Sequence, residues 1–329
     1  MIEKIAVVGL GSIGRRHLRL VRDLLPQTKI VVVRTRNNEK INDEKNADET
    51  YNNLEDAIAA GIEAAVISTP STYHIDQLIL LVKAGIHVLV EKPLSNSIEN
   101  FDKLTDVNLR SRVIILVGYC LRYDQAAMKF KEMIAEKKAG EILHVNIDSG
   151  SFLPDWRPGQ DYRQSVSANS NLGGGVLLEL SHELDYSQWF FGEIDQVFAK
   201  LSISGAIDVD VEDSAEIILI SNKGFVINIH LDFNSKSTRR KCNVRCTEGD
   251  LSWDAVSKTM VWLKNDGSIE TSNYETDRDH IYREQLIHFI DCIENDKPPR
   301  VSLAEGIRTL HLVEAARQSN EKGQWVSIP

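Results

Sequence analysis

Five short runs of branched and small apolar residues, most followed by a segment of helical periodicity, fill the first 120 residues and limit what this chain can fold into. The runs are 5–8, 30–33, 64–67, 87–90 and 113–117. The helical patterns are 13–25, 72–84 and 98–109. Strands without polar alternation are buried on both faces, which a parallel sheet flanked by helices provides. The connections are then right-handed crossovers. The first of these units carries Gly9-Leu10-Gly11-Ser12-Ile13-Gly14 between its strand and its helix. That is the G-x-G-x-x-G spacing of a dinucleotide turn, in the strand-to-helix context the motif requires.

The pattern changes after about residue 140. A strand at 143–149 enters a polar stretch, a helix is predicted over 176–191, and strands follow at 197–203, 215–221, 225–233 and 239–245, with shorter ones to 269. Strands in succession imply a largely antiparallel sheet. In 226–233, Val226, Asn228, His230 and Asp232 alternate with Ile227, Ile229, Leu231 and Phe233, so one face is wet and the other apolar. The apolar face needs a cover, from helices or from another subunit. Two amphipathic helices, 280–294 and 303–321, close the chain. The predicted fold is an α/β Rossmann domain (doubly wound parallel sheet) over 1–122, plus an α+β C-terminal domain with a large, mainly antiparallel open sheet over 123–329. A chain of 329 residues is long enough for two such cores.

Charge and composition narrow the function. The formal net charge of −10 argues against a nucleic-acid binder, which carries a basic face. No apolar run approaches the ~20 residues of a membrane span, and the chain opens directly into a strand, so no membrane partner and a cytoplasmic location are expected. Cys120, Cys242, Cys246 and Cys292 lack both a disulfide-framework pattern and zinc-finger spacing, and no metal is expected.

The chemistry-bearing residues fall in four places. Gly9, Gly11, Ser12, Ile13 and Gly14 form the phosphate turn, with helix amides and the positive dipole end aimed at the pyrophosphate. An acid at the end of the second strand would signal NAD. The sequence there is Arg34-Thr35-Arg36, so a forked cation faces the ribose and the cofactor is NADP or NAD, with NADP favoured. One of these arginines stacking on adenine would suit NAD equally. Glu91-Lys92-Pro93 follows the fourth predicted strand, at the carboxyl edge where ligands of open parallel sheets bind. Glu179, His182 and Asp185 are spaced three apart, as one stripe of a continuous helix, and a carboxylate beside an imidazole suits proton transfer. Between them lies an irregular segment with Trp156, Arg157, Tyr162 and Arg163. Two arginines, each preceded by an aromatic ring, suit an anionic substrate with a ring-shaped body. Pairing of the same arginines with Asp155 and Asp161 would make them loop fasteners instead.

The set of motifs resembles the glucose-fructose oxidoreductase/inositol dehydrogenase (Gfo/Idh/MocA) family from end to end. The resemblance rests on Gly9–Gly14, Thr69-Pro70 with His74, Glu91-Lys92-Pro93, Gly118 with Arg122-Tyr123, and Gly173-Gly174-Gly175 before His182 and Asp185. The 289–290 and 303–316 helices add to it. It implies hydride transfer between nicotinamide and a hydroxyl or keto group of a sugar, sugar acid or sugar nucleotide. It also implies assembly as a homodimer or homotetramer through the C-terminal sheet. Thr69, Pro70, His74 and Glu91 would then lie with the cofactor, and Arg122, Tyr123 and Glu179 with the substrate. Lys92 would touch the cofactor ribose and polarise the reacting oxygen, and His182 or Lys92 would take the hydroxyl proton. The family's histidine usually stands four residues after an aspartate; here Glu179 precedes His182 by three. Two other activities fit the same residues: a cofactor-sensing protein without turnover, and a reductase of a non-sugar carbonyl.

Overall fold

The computed structural model describes residues 2–34, 42–109 and 111–328, in two compact units. The first unit comprises residues up to Cys120 together with Arg278–Ile307. Its elements are β1 (Lys4–Val8), α1 (Ser12–Leu24), β2 (Lys29–Val33), β3 (Glu49–Tyr51), α2 (Leu54–Ala59), β4 (Ala64–Ile67), α3 (His74–Lys83), β5 (His87–Val90), α4 (Phe101–Leu109) and β6 (Ile115–Val117). All six strands run parallel, in the order β3-β2-β1-β4-β5-β6. Strand order reverses direction beside β1, which makes the β1/β4 edge the switch point. The helix after the glycine turn buries Gly14, His17, Leu18 and Val21, at the three- and four-residue spacing of one helical face. Behind it the core gathers Ile5, Val7, Ile30, Val32, Val66, Leu89 and Leu116, with Leu286 and Phe289 from a late helix.

The second unit holds Leu121–Asp277 and Arg308–Pro329. It contains α5 (Gln125–Ala135), β7 (Ile142–Gly150), α6 (Val176–Glu179), α7 (His182–Phe191), β8 (Ile194–Ser202), β9 (Ser214–Ser221), β10 (Val226–Asp232), β11 (Arg239–Cys246), β12 (Gly249–Asp254), β13 (Thr259–Lys264) and β14 (Ile269–Asn273). Then come α8 (His280–Asn295), which belongs to the first unit, α9 (Leu303–Lys322) and β15 (Val326–Ser327). The sheet has nine strands, ordered β14-β13-β12-β11-β7-β10-β9-β8-β15. Every pairing is antiparallel except β7 with β10. That parallel pair exists because the chain between them travels through α6, α7 and two further strands before returning.

Along β10, Ile227, Ile229 and Leu231 are buried while Val226, Asn228 and His230 are half-buried, so the two-residue alternation is realised. Asp232 departs from it. It is 5% exposed because the backbone amides of Asn234 and Ser235 and the Ser235 hydroxyl fold over its carboxylate. Helices α5 and α6 pack against the strands and cover the apolar face. At its centre Trp253, fully buried, meets Tyr186 and Phe190 edge-on at centroid distances of 5.1 and 5.6 Å.

Residues 278–307 group with the first unit, where Leu286 and Phe289 join the parallel sheet's core. Two points differ among the helices. The helix expected over 176–191 is two helices, broken at Leu180 and Ser181. A helix over Gln125–Ala135, opened by Asp124 accepting the Ala127 amide, has no counterpart in the sequence reading. Among the described residues no disulfide is present, no helix is long and apolar enough to cross a membrane, and no group of three His, Cys, Asp or Glu is arranged to hold a metal.

Candidate active site

The glycine turn lies at the carboxyl end of β1. Gly9 sits at φ 90°, in the left-handed region, and its carbonyl is so close to Gly14 that a Cβ there would lie 2.1 Å from it. The Ser68 hydroxyl, just past β4, reaches the Val8 and Gly9 carbonyls at 2.9 Å each and fastens the turn to the neighbouring strand. Gly11 differs: a Cβ built there meets nothing within 4 Å. An open surface beside the first amides of α1 is what a pyrophosphate needs. The residues present therefore fit a dinucleotide. Ser12 is exposed and Ile13 half-buried at the helix start.

Around this turn the structure reassigns several residues. Arg34 pairs with Glu44, an acid carried by a 3-10 turn over Asn42–Asn46. One nitrogen of its guanidinium is thus engaged within the protein. Thr35 and Arg36 lie outside the described residues. Thr69 is half-buried and donates its hydroxyl to Gln77 at 2.8 Å, and Pro70 is half-buried beside it. His74 is 1% exposed, with Nδ1 3.0 Å from the Pro93 carbonyl and Nε2 2.8 Å from the Thr69 carbonyl. It braces the loop after β4 against the loop after β5. Burial lowers its pKa against the opposing pull of those carbonyls.

Lys92 leaves the carboxyl end of β5, half-buried, with a cis bond to Pro93. Its predecessor Glu91 is 6% exposed and is not free to meet a cofactor. One oxygen lies 2.6 Å from His17 Nε2 and the other accepts the Lys92 amide at 3.2 Å. The partnership with His17 was invisible in the sequence, because 74 residues separate the two. The one available signal was a histidine on the inward face of an amphipathic helix.

In the second unit His182 opens α7 at 6% exposure. Glu179 lies across the helix break, so the three-residue stripe through Glu179, His182 and Asp185 does not exist as a continuous helical face. Asp185 is engaged by Arg122 through two hydrogen bonds of 2.7 and 3.0 Å, with both residues buried. The Arg122 guanidinium also stands 5.6 Å from the Trp189 ring. Arg122 is thus a buried strut for α7, and Tyr123 beside it is 2% exposed. Glu183, fully buried, accepts from Arg240 at 2.8 Å.

The irregular segment is a chain of 3-10 turns. Trp156 donates to Ser151 at 2.8 Å and meets Phe233 edge-on. Arg163 forms a two-pronged bond to Asp161 at 2.8 Å per prong, and the Tyr162 hydroxyl accepts the Asp208 amide at 3.0 Å. The loop-fastener role thus falls to Arg163, and Arg157 is half-buried.

Comparison with known proteins identifies the family and the fold. The chain matches the GFO_IDH_MocA model, an oxidoreductase family with an NAD-binding Rossmann fold, over residues 3–119, and that family's C-terminal alpha/beta domain over 131–328. It is 28% identical to the myo-inositol 2-dehydrogenase of Thermotoga maritima, covering 99% of this chain and 98% of that one. Among solved structures, levoglucosan dehydrogenase in complex with NADH and levoglucosan superposes with a TM-score of 0.89 at 18% identity, covering 99% of each chain. The WlbA dehydrogenase of Bordetella pertussis in complex with NADH and UDP-GlcNAcA does so at 0.84 and 20% identity, covering 100% of this chain and 99% of that one. With a glycine cradle open at Gly11, a lysine at the carboxyl end of β5 and family matches spanning both units, this chain belongs to the GFO/IDH/MocA oxidoreductase family.

Proposed function

We propose that this chain interconverts a ring hydroxyl and ketone on a polyol, sugar or sugar acid, using NAD(H) or NADP(H). The observation that carries the reading is the open cradle at Gly11, at the switch point of the parallel sheet, in the same unit as Lys92. Nicotinamide, when bound, takes up or returns the hydride. The amides of α1 and the bare backbone at Gly11 hold the pyrophosphate. Lys92 meets the reacting oxygen with its ammonium and stabilises charge that develops there. The His182 imidazole takes or returns the hydroxyl proton. Arg157 meets a carboxylate or phosphate on the substrate, if it carries one. Relatives named for inositol and xylose oxidation support the CH–OH class.

Two finer points belong to the same reading. The NADP preference rests on Arg36, since Arg34 is held by Glu44. Two copies of the chain pair through the outer face of the nine-stranded sheet, where half-exposed apolar residues surround a row of asparagines. Four cysteines without a disulfide among the described residues fit a reducing compartment such as the cytoplasm.

The test is turnover of NAD+ and NADP+ with myo-inositol, levoglucosan and UDP-GlcNAcA. Lys92→Met, which keeps length and removes charge, should cut kcat by ~10²-fold or more, as loss of an acid/base or charge-stabilising group does. NADH affinity should change far less. Normal turnover by that variant ends the role given to Lys92, and cofactor binding without turnover of any of the three compounds counts against the enzyme reading for this substrate class.

A further inference from the structure

We infer that His17 is a positioning residue for Lys92, acting through Glu91. The inference rests on the reading that Lys92 serves the reaction. Three elements meet at this point in the first unit. His17 comes from α1, one turn beyond the glycine cradle. Glu91 ends β5. Gly118 follows β6, and its amide donates to the Val90 carbonyl at 2.7 Å.

The His17 ring is fully buried, edge-on to Tyr282 at 6.1 Å between centroids. Arg16 lies over the same tyrosine at 4.5 Å. The imidazole therefore has one orientation, and its Nε2 lies 2.6 Å from Glu91 Oε1. A contact that short between nitrogen and oxygen holds a proton between them. It leaves Oε2 to accept the amide of Lys92 at 3.2 Å. A Cβ at Gly118 would lie 2.9 Å from the Glu91 Cα and 3.1 Å from the Lys92 nitrogen, so this corner also leaves no room for a side chain on the opposite side. Lys92 thus enters its loop from a backbone held from both sides.

Filling a core does not explain the arrangement. Burying a carboxylate and an imidazole is costly unless each is well bonded, and an apolar pair of similar volume is often as stable or more so. What the polar pair provides, and an apolar pair does not, is an oxygen aimed at the Lys92 amide. Because His17 rides on the helix that opens at the cradle, movement of α1 when a dinucleotide binds would reach Lys92 through two hydrogen bonds, His17 to Glu91 and Glu91 to the Lys92 amide.

The experiment reads Lys92 directly rather than by turnover. Full-length protein is reductively methylated with ¹³C, and the Lys92 dimethylamino resonance is assigned by its absence in Lys92→Met. His17→Leu should displace this resonance by more than its line width. His17→Gln, which keeps a donor near the ε position, should restore its position. His17→Leu strands a buried carboxylate and loses stability, so His17→Leu/Glu91→Leu, which leaves no orphan, is measured beside it and should show the same displacement. NADH affinity should hold in all three. A Lys92 signal that stays in place in both leucine variants overturns the inference. A signal that moves while Lys92→Met turns over normally leaves His17 as the positioning residue and removes the catalytic role of Lys92.

Discussion

At the scale of single residues, partners decided roles that residue type left open. Arg34 has the chemistry of a phosphate clamp, and its Nη1 bonds Glu44. Glu44→Gln should release Arg34 and strengthen NADPH binding relative to NADH by ~10-fold, the worth of one charge-assisted hydrogen bond. Arg36→Ala should weaken NADPH selectively, and Arg34→Ala should change the preference little. Titration of both cofactors by fluorescence checks this; equal affinity for the two in the wild type and in Glu44→Gln would remove the arginines from cofactor choice. The same reasoning separates Arg163 from Arg157. A cation bidentate to Asp161 holds a loop, and Asp161 responds with a lowered pKa because Arg163 bonds to it through both side chain and backbone.

At the scale of elements, β10 carries a titrating cluster on its outer face. His230 Nδ1 lies 2.6 Å from Glu216 on β9, and Nε2 lies 3.0 Å from Asp232, which also receives Arg239 at 3.3 Å. The bond to Asp232, with Glu216 adding to it, raises the His230 pKa from 6.5 to about 9 despite partial burial. Burial works to raise that of Asp232, but His230, the Ser235 hydroxyl and two backbone amides overcome it and hold the carboxyl low. A histidine with a raised folded pKa stabilises fully below about 6.5, and that contribution fades as pH rises through about 9. Asp232 contributes above its unfolded value of about 3.8 and loses that contribution in acid. His230→Gln should therefore lower Tm at pH 6 and converge on the wild type above pH 9. A Tm difference that is flat across this range would mean the cluster contributes nothing through charge.

At the scale of the whole molecule, the outer face of the second unit's sheet is the surface proposed for pairing with a second copy. Asn228, Asn146 and Asn243 stand in register on β10, β7 and β11, continued by Ile218 and Phe198 on one side and Ser252 on the other. A two-fold pairing would place like residues near one another, so Asn146→Arg should set cations together and release monomers. Light scattering on wild type and variant checks it; a wild type that is monomeric at micromolar concentration removes the interface.

The sequence by itself determined the two sheets, their parallel and antiparallel character, the glycine turn and the placement of Lys92 at a strand end. These follow from local periodicity and turn stereochemistry, which short stretches of chain carry. Tertiary structure decided which charges are spent on the protein itself. His17 with Glu91, Arg122 with Asp185, and Glu183 with Arg240 pair across 74, 63 and 57 residues, and no local pattern encodes such distances. It also moved α8 into the first unit's core and broke α6 from α7, because burial of Leu286, Phe289 and the aromatic cluster around Trp253 depends on neighbours supplied from elsewhere in the chain.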